Sequence, residues 1–183
     1  MNLQINFKEQ CGLFGIYSCK YAAQMAYFGL YALQHRGQES AGIVVSGDSN
    51  KFLSHLGMGL VNEVFNKEIL SKLTGDKAIA HVRYSTAGES TIKNAQPLLI
   101  NYANGQIAIA HNGNIFNASK LRRQLELEGA IFQTSADSEI VLHLIARSKK
   151  HHIQEKIIDA ISLLKGAYCF LILTKDKLIA IRD

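Results

Sequence analysis

Pro97-Leu98-Leu99-Ile100-Asn101-Tyr102-Ala103-Asn104-Gly105-Gln106-Ile107-Ala108-Ile109-Ala110-His111 is the stretch on which the fold turns. Residues 97–101 and 107–111 read as strands, and Tyr102–Gly105 as the turn between them. Strands this close along a chain pair antiparallel, because a parallel pair needs a crossover of a dozen or more residues. Two further pairs read the same way. Ala41–Val45 and Phe52–Leu56 flank the polar turn Ser46–Asn50, while Tyr168–Thr174 and Lys177–Arg182 turn at Lys175-Asp176. Strands are also expected at 12–17 and 78–82.

Helical periodicity fills the intervals. Ala22–Gln34 suits a helix whose stripe Ala22, Met25, Ala26 and Gly29 would let it lie close to a sheet. Residues 61–73 read as helical. Asn117 is a plausible N-cap for a helix through Leu121 and Leu125 that Gly129 ends. Ser135 or Asp137 could cap a helix with the apolar face Ile140, Val141, Leu144 and Ile145, and another helix covers about 153–164. The expectation is an α+β fold of antiparallel sheets covered by helices; a doubly wound parallel sheet fits less well.

The chain has 183 residues, enough for one domain with a sizeable core. Its 48% apolar content is that of a globular protein, and a single proline argues against a Pro-rich linker. Twenty Lys and Arg against fifteen Asp and Glu leave a modest charge of +5. Lys149-Lys150 and Arg122-Arg123 read as solvated helix surface rather than a nucleic-acid footprint. No apolar run reaches membrane-spanning length, and MNLQINFKEQ makes a poor signal peptide. Cysteines at 11, 19 and 169 have neither zinc-ligand spacing nor a disulfide pattern, so a reducing cytoplasmic setting is expected. The chain stops at Asp183 directly after a strand-like run, as a shortened form of a longer protein would.

Four polar islands exceed what packing needs: Gln34–Gly42, His81–Gly88, His111–Asn114 and Ser135–Glu139. Asn112-Gly113 reads either as a turn or as an oxyanion site, glycine letting a backbone amide approach substrate closely. Arg83 reads either as a surface ion-pair residue or as a bidentate carboxylate clamp. Asp137 is either a helix cap or, turned inward, a clamp for an ammonium group. Carboxylate and ammonium clamps together are what a free amino acid requires. His35, His81 and His111 are too widely spaced for a strong zinc signal, although one could serve Cys11 as a base.

Cys11 opens the run Cys11-Gly12-Leu13-Phe14-Gly15-Ile16 after ten residues. With those ten removed, a thiol and a free α-amine would share one residue. Their reference pKa values, about 8.5 and about 7.7–8.0, suit proton transfer near neutrality. With them retained, the nitrogen is a non-basic amide.

CGLFGIY, LQHRGQESAGI, GLVNEVF, HVRYSTAG, NAQPLL, AHNGN, FQTSADSE and LLKGAY follow one another from about residue 9 to the end. Together they closely resemble the N-terminal glutaminase domains of amidophosphoribosyltransferases, class II glutamine amidotransferases of the N-terminal-nucleophile hydrolase superfamily. Glutaminase domains of glucosamine-phosphate synthase and asparagine synthetase share the chemistry but match QHRGQESAG and HVRYSTAG less well.

The resemblance implies a four-layer αββα sandwich, with residues 1–10 a propeptide and 11–183 the glutaminase domain. It makes Cys11 the nucleophile and Asn112 and Gly113 the oxyanion pair. Arg83 would hold the glutamine α-carboxylate and Asp137 its α-amine. Thr86 and His111 fall in the same pocket, and Arg36 and Gly37 in a loop that positions the catalytic terminus. The implied reaction converts L-glutamine to glutamate and ammonia through a cysteinyl thioester. No metal or cofactor is implied here; Mg2+, and in some relatives an iron–sulfur cluster, would belong to a C-terminal phosphoribosyltransferase domain. A homo-oligomer is implied at full length. The competing expectations are a noncatalytic amino-acid-binding or interaction module and an unprocessed, inactive precursor.

Overall fold

The computed structural model describes residues 11–47, 51–84 and 91–183. Within them the period-two segments form two four-stranded antiparallel sheets. The first contains β1 (Gly12–Ile16), β2 (Ser40–Ser46), β3 (Phe52–Met58) and β4 (Lys77–Arg83) in the order β1-β4-β2-β3. The second contains β5 (Leu98–Tyr102), β6 (Gly105–Ile115), β7 (Gly166–Leu173) and β8 (Leu178–Arg182) in chain order. All three expected hairpins pair, for example Val44 with Ser54, Ile100 with Ile107 and Ile172 with Ile179.

Alternation along the strands builds three apolar layers. Ala41, Ile43, Val45, Ala78, Ala80 and Val82 face α1 (Ala22–Ala32) and α2 (Val61–Val64). Ile107, Ile109, Phe170 and Ile172 face α5 (Ser138–Arg147) and α6 (Ile153–Ser162), with α4 (Ala118–Leu127) beside them. The opposite faces, carrying Val44, Ile79, Ala108, Ala110 and Leu173, meet between the sheets. The result is an αββα sandwich. Burial of each large aliphatic side chain in these layers contributes about 1.5–3 kcal/mol.

Several local readings change or are refined. Residues 61–73 form two short helices, α2 and α3 (Lys67–Lys72), because Asn66 accepts from the Ile69 amide and starts a new one. Ala22, Ala23, Ala26 and Leu30 face the sheet, whereas Met25 lies outside with Tyr21, Phe28 and Tyr31. Asn117 precedes α4 without capping it; its side chain instead spans Leu163 O and Lys165 N. Arg122 is no freely solvated surface cation: it pairs with Glu126, donates to Thr134 O and lies over the Phe132 ring. Asn112-Gly113 is not a turn, since β6 continues through it and pairs Asn112 with Cys169 and Gly113 with Tyr168.

Candidate active site

Strand parity brings the polar islands to one end of the sandwich. His81 and Arg83 share the inner face of β4 with Ile79, and Asn112 shares the inner face of β6 with Ala108 and Ala110. Gly12 pairs with Val82, so Cys11 stands one residue beyond, opposite Arg83. The thiol and the amide donors therefore come from different sheets facing each other.

Cys11 is half-buried and has a backbone φ of 72°, in the left-handed region. Its thiol makes a weak contact, 3.8 Å, with the Tyr84 carbonyl. Arg36, in the one-turn 3-10 helix Gln34–Arg36, grips its main chain: Nε donates to Cys11 O at 2.9 Å and Cys11 N–H donates to Arg36 O at 3.2 Å. Gly37 follows, buried so tightly that a Cβ would meet the Arg83 carbonyl at 2.7 Å. Burial pushes the Cys11 thiol above its usual range, and the guanidinium groups of Arg83 and Arg36 oppose that without cancelling it. A thiol so placed needs a base before it can attack.

Arg83 is buried, and its Nη1 pairs with Glu39 Oε1 at 2.5 Å, both side chains being largely shielded. Glu39 N–H also donates to Arg83 O. The ion-pair reading of the sequence is met by Glu39, which holds the guanidinium in place at the end of β4.

Gly113 has φ 136°, and a Cβ there would run into Ala167 O of β7. Glycine is required by the strand beside it, a reason other than the approach of substrate expected from the sequence. Asn112 is half-buried and Gly113 exposed.

Asp137 sits at the N-terminus of α5 but makes no cap. Its Oδ1 accepts from His111 Nδ1 at 3.0 Å and its Oδ2 from Ile115 N at 3.2 Å. Burial alone would raise its pKa; the hydrogen bond from His111 and the amides of Ile115 and Ser138 outweigh that and hold the carboxyl below its usual value. His111 is itself buried, its ring stacked on Phe170 with centroids 4.6 Å apart. Its Nδ1 bonds Asp137, so the ring acts as a brace for that carboxylate.

Three supporting residues escape a reading of the sequence. Glu139 accepts from Gln133 N, Thr134 N and Thr134 Oγ1, and Asn94 exchanges two hydrogen bonds with Ser135; together they shape the loop that delivers Asp137. Gln96 accepts from His111 N. The signal was polar side chains beside the lone proline, in a motif that offered no chemical role. His81 Nε2 donates to His111 O at 3.0 Å and His35 Nδ1 lies on Ala32 O, so each of these nitrogens is engaged with a main-chain carbonyl. Thr86 and residues 1–10 lie outside the described residues. Among the described residues no three His, Cys, Asp or Glu side chains could hold one metal ion, and no helix is long and apolar enough to cross a membrane. A cleft of about 400 Å³ beside Leu121, Leu144 and Asp159 is remote from Cys11.

An αββα sandwich with a cysteine at the head of its first strand and polar groups from both sheets around it defines an N-terminal-nucleophile type of amide-processing fold. This chain belongs to the glutamine amidotransferase family, whose domain, described as "Glutamine amidotransferase domain", it matches over residues 81–183. It is 51% identical over 176 residues, 96% of its length, to amidophosphoribosyltransferase 2, chloroplastic, of Arabidopsis thaliana, and equally to the amidophosphoribosyltransferase of Bacillus subtilis (strain 168). Those alignments cover 31% and 37% of the respective relatives. A solved structure titled as the allosteric regulatory enzyme of purine biosynthesis superposes with TM-score 0.89 at 49% identity, covering 93% of this chain and 37% of that one. The chain thus spans about a third of these relatives' length.

Proposed function

We propose that the chain, once it begins at Cys11, is a glutaminase that releases ammonia from L-glutamine. Arg83 receives the α-carboxylate and Asp137 the α-ammonium, with Thr86 and His111 in the same pocket. The α-amine of Cys11 takes the thiol proton, and Sγ attacks the side-chain amide carbon. Charge builds on the carbonyl oxygen, where the Asn112 side chain and the Gly113 N–H stabilise it, each such donor being worth about 3–4 kcal/mol. The C–N bond breaks, the protonated amine gives its proton to the leaving nitrogen, and ammonia departs. Water then hydrolyses the γ-glutamyl thioester to glutamate, restoring the thiol.

The observation that supports this reading is that Cys11 stands opposite Arg83 in one sheet while Asn112 lies on the facing surface of the other, and that the Asp137 side chain makes no helix-cap hydrogen bond. Denaturing quench during turnover, followed by intact mass, tests it. A population heavier by glutamine less ammonia, absent in Cys11→Ser, supports the thioester; turnover retained by Cys11→Ser contradicts it. The sequence itself favours a second state, since ten residues precede Cys11 and its nitrogen stays an amide until the Gln10–Cys11 bond is cut.

Joined to the further sequence its relatives carry, the domain would feed ammonia to phosphoribosyl pyrophosphate and form 5-phosphoribosylamine, the first step of purine biosynthesis. The names of the relatives support that assignment. Phosphoribosyl transfer, its Mg2+, any iron–sulfur cluster and assembly into a homo-oligomer belong to that longer protein. The domain itself needs no cofactor. Its three free cysteines support a reducing, cytoplasmic setting.

A further inference from the structure

β5 pairs with β6 only as far as Leu98 and Ile109, so His111, two residues on, has no ladder partner on that edge. Two side chains replace the missing strand. Gln96 Oε1 accepts the His111 N–H at 2.7 Å, and His81 Nε2 donates to the His111 carbonyl at 3.0 Å. The second bond crosses from one sheet to the other, because His81 belongs to β4. Another side-chain tie between the sheets, Phe52 N to Gln106 Oε1, lies toward the opposite end of β6.

We infer that His81 is a positioning residue that fixes the Asn112-Gly113 donors against Cys11 and Arg83 by holding the His111 carbonyl across the inter-sheet space. The His111 carbonyl belongs to the planar peptide that leads into Asn112, so restraining it fixes the main chain from which the Asn112 side chain and, one peptide on, the Gly113 N–H project. His81 stands two residues before Arg83 on the same face of β4, and Cys11 stands opposite Arg83. One strand thus sets the substrate clamp, the nucleophile and the strut that spaces the opposing donors. The cost of the arrangement is visible. His81 is fully buried, and among the described residues its Nδ1 finds no hydrogen-bond partner. An apolar side chain would fill that space without an orphaned nitrogen; what imidazole adds is the donor to His111.

The inference rests on the glutaminase reading. Its test compares the matured wild-type chain with His81→Leu and His81→Gln, whose amide can still donate, each first confirmed folded by circular dichroism. His81→Asn, too short to reach, substitutes if His81→Leu does not fold. His81→Leu is expected to lose about 10–100-fold in kcat, the scale of a misplaced catalytic group. Affinity for glutamate should change less than about twofold, since the ground state does not use the oxyanion donors. Affinity for the γ-aldehyde of glutamate, which forms a tetrahedral adduct with a thiol, should fall in parallel with kcat. His81→Gln should recover most of both. Equal losses for glutamate and aldehyde, or no recovery by His81→Gln, overturn the inference, as does a folded His81→Leu with wild-type kcat. A wild-type chain that hydrolyses no glutamine overturns the glutaminase reading, and this inference with it.

Discussion

Arg36 and Cys11 hold each other by their main chains and one guanidinium: Arg36 Nε donates to Cys11 O while Cys11 N–H donates to Arg36 O. Cys11, the proposed nucleophile, is therefore anchored by the segment between α1 and β2 rather than by β1 alone. Arg36→Leu removes a charge-assisted bond and is expected to cost about 1.5–3 kcal/mol of stability. Its larger effect should be on turnover, a loss of about 10–100-fold in kcat from misplacement of the thiol. Urea unfolding and steady-state glutaminase kinetics measure the two separately.

Asp137→Asn keeps the shape of the side chain and removes its charge. The KM for glutamine should rise roughly 10–100-fold, equivalent to one charged hydrogen bond of about 1.5–3 kcal/mol. A KM unchanged within twofold would leave Asp137 as a purely structural partner of His111.

Arg83 and Glu39 form a shielded pair, with side chains 10% and 13% exposed. Removing Arg83 alone, as Arg83→Leu, strands a buried carboxylate and should cost about 3 kcal/mol or more in chemical denaturation. The double substitution with Glu39→Leu should recover much of that stability while glutamine binding stays lost. Separating stability from binding in this way distinguishes a substrate clamp from a structural ion pair.

Burial holds the pKa of His81 down to about 3, so the folded chain keeps this ring neutral where the unfolded chain protonates it below about 6.5. Between those values the unfolded state binds the extra proton, and stability falls as pH is lowered. His81 thus contributes fully above about pH 6.5, with a slope of up to about 1.4 kcal/mol per pH unit below it. Asp137, depressed in the folded state, acts in the same direction at lower pH: its contribution is present above the unfolded carboxyl value and lost as pH falls through the folded one. Denaturation of wild type and His81→Gln at pH 7, 5.5 and 4.5 should show the shallower decline in the variant; parallel declines would contradict this account.

Gly113→Ala combines a left-handed φ with a Cβ driven into Ala167 O. A loss of about 2 kcal/mol or more is expected, because β7 backbone cannot give way as a flexible side chain would. A thermal midpoint within a degree of wild type would refute that.

The antiparallel sandwich was legible because hairpins are local: 97–111 declares its own pairing, and alternation along each strand tells which face is inner. The ambiguous polar residues were less legible for a physical reason. Asp137 at a helix start and Arg83 at a strand end are where ordinary caps and ion pairs also occur, and only tertiary contacts show that Asp137 caps nothing. Asn112-Gly113 looked like a turn because the steric demand for glycine comes from β7, more than fifty residues away in sequence. Gln96 accepts from a strand amide fifteen residues on, Asn94 from a loop amide forty-one residues on and Glu139 from the loop just before its own helix, and no spacing rule announces such partners.

The central claim is that Cys11 acts with its own α-amine as base. The direct measurement is glutaminase activity of two homogeneous preparations, one retaining residues 1–10 and one beginning at Cys11, each verified by intact mass. Turnover confined to the chain that begins at Cys11, and abolished by acetylating that amine, is the predicted result. Equal turnover by the chain that still carries residues 1–10 would contradict it.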